Sequence, residues 1–143
     1  MIEEVKFDGG ILSIIIRHNF KKDGIEFFTP DDFSQQLAYM KRPQNYVIAP
    51  HVHNAVTRKV LFTQEVLLVK SGRIRVDFYD DNKNYLKSTI LESGDVILLA
   101  FGGHGFEMLE ESEIIEVKQG PYCHDMDKVR FDPVSDEQIK YKD

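Results

Sequence analysis

Two of the chain's five histidines stand two residues apart, at His51 and His53. Val47 and Ala49 precede them in the same alternation, so on a strand both imidazoles project from one face. They lie about 7 Å apart along the backbone, close enough to grip one ion. Glu65 opens the apolar run Val66-Leu67-Leu68-Val69, which stops at Ser71-Gly72 before a second alternating strand. His104 lies in Gly102-Gly103-His104-Gly105, a bend where the backbone can approach closely and an imidazole can be aimed inward. Three imidazoles and a carboxylate make a mixed N/O donor set suited to a first-row divalent ion: iron, manganese, nickel or zinc. Four such ligands leave positions open on an ion that takes five or six, where water, oxygen or a chelating substrate binds.

The neighbouring residues must present these groups. Tyr46, Ile48 and Pro50 fall on the face opposite the histidines, leaving small apolar neighbours beside the imidazoles, as a lined cavity requires. Leu61, Thr63, Glu65, Leu67 and Val69 share a face, which puts Thr63 beside the metal as a substrate contact. The other face, with Phe62, Val66 and Leu68, is apolar too and needs a cover: the N-terminal elements or a second subunit. A homodimer is expected. The connection from Asn54 to Lys59 would overhang the mouth of a barrel, and Arg58 and Lys59 on it could receive a phosphate or carboxylate, or equally form a solvated loop.

Residues 51–72 read H-x-H-x11-E-x6-G and residues 94–104 read G-x5-A-x-G-x-H. Both segments resemble the two motifs of the cupin superfamily, and the resemblance covers roughly residues 44–119. It departs from the motifs at five points: Asn45 for the first glycine, about seven extra residues between His53 and Glu65, Ala100 for proline, one residue fewer before His104, and Met108 for asparagine. None is a ligand position. The resemblance implies that His51, His53, Glu65 and His104 are the metal ligands of a small single-domain cupin, a double-stranded β-helix or jelly-roll barrel. Cupins include dioxygenases, isomerases, epimerases, decarboxylases and storage or sensing proteins, so fold and ligands choose no reaction. The leading expectation is a metal-dependent enzyme, a dioxygenase or isomerase, acting on a polar, anionic or sugar-like small molecule. Two alternatives stand beside it. One is a metal-free nucleotide-sugar isomerase or epimerase with His51 or His53 as general base and a tyrosine as acid; the other is a non-enzymatic binding or sensing module.

The remaining chain fits an all-β domain spanning residues 1–143. Residues 11–16, Ile-Leu-Ser-Ile-Ile-Ile, read as a strand buried on both faces, and Ile25 to Phe28 as its return past Asp23-Gly24, giving a hairpin over 11–28. Thr29-Pro30-Asp31-Asp32 carries a helix start, and Phe33, Leu37 and Met40 recur at helical spacing before Lys41-Arg42-Pro43, which predicts one short helix. From Gln44 the pattern is strand. Ile74, Val76 and Phe78 alternate with polar residues, as in a half-buried strand; Tyr85–Leu91, Val96–Ala100 and Ile114–Lys118 follow between turns. Glu116 and Lys118 have no assigned face, and residues 120–143, with Cys123 and His124, form a polar tail.

Eighteen Lys and Arg scattered among 24 Asp and Glu give a net charge of −6, which argues against nucleic acid as a partner. The start lacks a cationic segment followed by an apolar one, and no apolar run approaches a membrane span. A single cysteine permits no internal disulfide. These features together suggest a cytoplasmic protein free of membrane contact.

Overall fold

The computed structural model describes residues 1–141, apart from the side chain of Asp125. Its secondary structure is almost entirely β, in antiparallel sheets. Asp8-Gly9, at φ 50° and 77°, makes a tight two-residue turn that joins β1 (Ile2–Phe7) to β2 (Gly10–Ile16). The expected hairpin over 11–28 does not form. Ser13 to Ile16 are buried on both faces, which demands two strand neighbours, and β2 finds them in β1 and β8 (Val96–Leu99). The segment after Asp23-Gly24, β3 (Gly24–Phe27), pairs instead with β4 (Ala38–Lys41).

The chain divides into two compact units, one of residues 1–20 with 63 onward, the other of residues 21–62. In the first, β5 (Glu65–Ser71), β6 (Arg73–Tyr79), β7 (Tyr85–Glu92), β8, β9 (Gly103–Met108) and β10 (Glu113–Lys118) follow the alternation of the sequence closely. They form a five-stranded sheet in the order β1-β2-β8-β5-β10 and a three-stranded sheet in the order β7-β6-β9. The described strands close no barrel. Ile15, Leu67, Val69, Ile97 and Leu99 of one sheet pack with Ile74, Val76, Phe78 and Leu91 of the other in a single core. Gly72, at φ 88°, makes the turn between β5 and β6 against Ser112 and the Glu111 carbonyl, leaving no room for a side chain.

β6 is not half-buried. Arg75, Asp77 and Tyr79, on its second face, are as buried as the core residues between them. The cover is the C-terminal segment read as a free polar tail. Phe131 stands edge-on to the Tyr79 ring at 4.9 Å, the Val134 N–H donates to the Tyr79 hydroxyl at 2.9 Å, and the Ser88 N–H donates to the Lys140 carbonyl at 2.7 Å. Beneath it Arg75 Nε and Asp77 Oδ1 pair at 2.8 Å, with Glu107 2.7 Å from Nη1 and the Ser88 hydroxyl on Asp77. These partners hold the Arg75 guanidinium charged despite its burial.

The first unit also carries a clamp. Arg17 forms a two-bond fork with Glu3 at 2.9 Å, meets Asp95 at 2.9 Å and donates to the Ile90 carbonyl at 2.7 Å. It thereby joins the N-terminal hairpin, β7 and the turn before β8. Burial pushes the Asp95 carboxyl up, but the Glu92 and His18 backbone N–H groups and Arg17 outweigh it and hold it below the usual carboxylate range.

In the second unit, residues 29–37 form no helix. Thr29 Oγ1 accepts the Leu37 N–H at 3.2 Å, and Gln36 Nε2 donates to the carbonyls of Pro30 at 2.9 Å and Phe33 at 3.0 Å. Side chains thus take the backbone partners a helix would have used, and the capping signal yields one turn followed by β4. Nor does the stretch from Gln44 become a strand: a turn at Gln44-Asn45 is followed by chain that enters no strand or helix through Gln64. Among the described residues no helix is long and apolar enough to cross a membrane.

Candidate functional site

Glu65 is the first residue of β5, paired in register with Leu99 of β8 on one side and Lys118 of β10 on the other. Alternation along β5 and β10 puts Glu65, Leu67, Glu116 and Lys118 on one face, the face whose apolar members build the core. His104 comes from the other sheet, opposite the buried Phe78 in the β6–β9 pairing. The glycine bend read from the sequence delivers it there: Gly102, at φ 74°, lies against the Tyr79 carbonyl and Leu12.

The two side chains meet across the gap between the sheets, with His104 Nε2 3.3 Å from Glu65 Oε2 and both largely shielded from solvent. Phe106 flanks the imidazole at 5.5 Å between ring centres. His104 holds the Glu65 carboxyl below its usual range; burial opposes this, and Glu116 and Lys118 add to it. Glu116 and Lys118, left without a face by the sequence, therefore belong to the surroundings of this pair. The signal that places them is the register with β5, since neither strand of that pairing alone fixes it.

The remaining candidates have surroundings of their own. His51 and His53 sit in the second unit on exposed chain outside any strand, their rings 5.3 Å apart and edge-on, with His51 Nδ1 2.9 Å from the Ala49 carbonyl. Arg58 and Lys59 follow on the same exposed stretch. Thr63 donates its hydroxyl to Asp127 at 2.7 Å, which ties the start of β5 to the turn His124–Asp127. Cys123 is an exposed free thiol, and the His124 ring lies 4.7 Å from that of Tyr122. Among the described residues no three His, Cys, Asp or Glu side chains gather to hold a metal ion. Of the four expected ligands, Glu65 and His104 are brought together in one unit, and His51 and His53 share the other.

The pair is a carboxylate–imidazole contact at 3.3 Å. Two donors each about 2.1 Å from an ion, subtending roughly 90–110° at it, lie about 3.0–3.4 Å apart. The Glu65–His104 separation falls in that range. The same contact is also that of an imidazole oriented by a carboxylate. Comparison with known proteins adds no identity: no family model matches the chain, and no curated protein or solved structure matches it.

Proposed function

We propose that the protein is a divalent-metal-binding protein of the cupin type, a small enzyme acting on a polar, anionic or sugar-like molecule. The Glu65–His104 pair carries this reading, because it joins two of the four motif ligands from different sheets at a ligand-to-ligand distance. The backbone supports the fold. Asn45, Gly72, Gly94 and Gly102 occupy the motif's glycine positions, and all four have positive φ, Asn45 at 68°. Asparagine is the non-glycine residue that best tolerates this conformation, which explains the substitution. Strands β5 to β10 supply six of the eight strands of a double-sheet jelly roll, with places for two more at the free edges of β9 and β10.

His51, His53, Glu65 and His104 would hold the ion, which when bound polarises a substrate oxygen or acidifies a water. Around it, Lys118 and Glu116 set the charge of the inner wall, Phe106 limits water, and Arg58, Lys59 and Thr63 are the residues assigned to an anionic substrate. Metal content by mass spectrometry on untagged protein tests the reading, with His104→Ala and His51→Ala beside the wild type. Near-stoichiometric metal in the wild type and at least a tenfold loss in each folded variant is expected. A wild type that takes up no metal after reconstitution overturns it.

The direct Glu65–His104 contact also favours a second reading, a metal-free nucleotide-sugar isomerase or epimerase with a histidine as general base. Turnover of a nucleotide sugar undiminished by a chelator selects that reading.

A further inference from the structure

Strand β10 ends at Lys118, and the chain after it is tied to the start of β5. The Gln64 N–H donates to Gln119 Oε1 at 2.5 Å, and the Thr63 hydroxyl donates to Asp127 at 2.7 Å. Lys118, the register partner of Glu65, and the residues that follow it enclose a cavity of about 70 Å³. All of them belong to the first unit. Sites for whole drug-sized molecules run to roughly 300 Å³ and more, so this cavity admits a small group.

Its lining is cationic. Among the described residues, Lys118, Lys128 and Arg130 meet a single carboxylate, Asp127, with His124 beside them. The chain as a whole has the opposite balance, 24 acids against 18 Lys and Arg. Like charges gathered round one cavity repel each other, and an anion placed among them relieves that repulsion. The carboxylate is already occupied by the Thr63 hydroxyl, so it serves to fix the wall. A surplus of two positive charges suits a group that carries roughly −1.5 to −2 at neutral pH and offers three acceptor oxygens, which is a phosphate.

We propose that this cavity binds the phosphate group of a phosphate monoester, held by Lys118, Lys128 and Arg130 with His124 as a further donor. The anionic molecule acted on is then a phosphorylated one; this last step rests on the enzyme reading above, whereas the cavity stands without it. Arg58 and Lys59, to which the sequence assigned the anion, take no part in it.

Alkylation of Cys123 reads the site, because this is the chain's single cysteine, it is exposed and it lines the cavity. Its rate of reaction with iodoacetamide is measured at neutral pH in sodium phosphate, in methyl phosphate and in sodium chloride of matched ionic strength, before and after treatment with EDTA. Each phosphate should slow the reaction about fivefold or more relative to chloride once it exceeds its dissociation constant several times over. Lys128→Gln/Arg130→Gln should lose this protection, and Arg58→Gln/Lys59→Gln should keep it. Both side chains of the first pair are exposed, and Lys128→Gln alone replaces the double variant if a thermal melt shows that it does not fold. Equal rates in phosphate and chloride overturn the proposal, as does protection that survives the loss of Lys128 and Arg130. Protection abolished by EDTA places the anion on a metal ion and overturns it equally. Protection by inorganic phosphate without methyl phosphate overturns the monoester. Metal-loaded protein without protection overturns the cavity and leaves the metal reading intact, whereas protection in a protein that takes up no metal after reconstitution overturns the metal reading alone.

Discussion

The two units use apolar residues in opposite ways. In the first, Ile74, Val76, Phe78, Leu91 and Ile97 alternate along paired strands and are fully buried. In the second, Val47, Ile48, Val52, Val56 and Leu61 are as apolar and largely β-branched, yet all stand exposed. The residue types are alike; what differs is a sheet to join. A β-branched stretch becomes a strand only when an edge supplies the hydrogen bonds, so the alternation is necessary without being sufficient.

Three substitutions sharpen this contrast. Gly72→Ala should be the most damaging, because it adds a Cβ at positive φ into Ser112 and the Glu111 carbonyl. A loss of about 2–4 kcal/mol is expected from strain and displaced backbone, read by urea denaturation. A wild-type midpoint would show that the turn between β5 and β6 yields freely.

Asp95→Asn should come next, at about 2–3 kcal/mol near pH 7, because it removes a buried partner of Arg17 and His18. Its pH dependence has a fixed sign. A carboxyl held below its unfolded value contributes stability above about pH 4, the ordinary Asp range, and loses it as pH falls through the lower folded value. The gap between wild type and variant should therefore narrow below about pH 4 in thermal melts. A gap that widens there would remove Asp95 from the clamp.

Val52→Ser should be the mildest for folding. At a side chain this exposed, unfolding of the dilute protein should change by less than about 0.5 kcal/mol. Urea denaturation of the variant beside the wild type reads this. A loss above about 1 kcal/mol would mean that Val52 packs in the folded chain.

The strands of residues 65–118 were legible because each run ends at a turn with its own chemistry, Ser71-Gly72, Asp80-Asp81-Asn82 or Ser93-Gly94-Asp95. Local signals failed where a side chain or segment from outside the pattern intervened. Thr29 reads as a helix cap, but Gln36 claims the carbonyls the helix needed. Arg75 and Asp77 read as a wet face until Phe131, Val134 and Lys140 arrive from about 55 residues away to cover it. The site was legible in the same proportion. Residue types, spacing and the motif resemblance singled out His51, His53, Glu65 and His104, of which Glu65 and His104 meet, whereas Glu116 and Lys118 needed the β5–β10 register, a property of two strands rather than one.

The position of β2 bears on how the chain reaches this state. Its turn at Asp8-Gly9 closes a local hairpin that runs from Ile2 to Ile16. Its other neighbour is β8, where Ser13 pairs with Leu99 and Ile16 with Val96, and the Arg17–Asp95 contact spans 78 residues. The hairpin therefore keeps its second edge open until β8 pairs with it. Such long-range pairing belongs to slow-folding β topologies, and during that interval Ile14, Ile15 and Ile16 form an unpaired apolar edge exposed to aggregation.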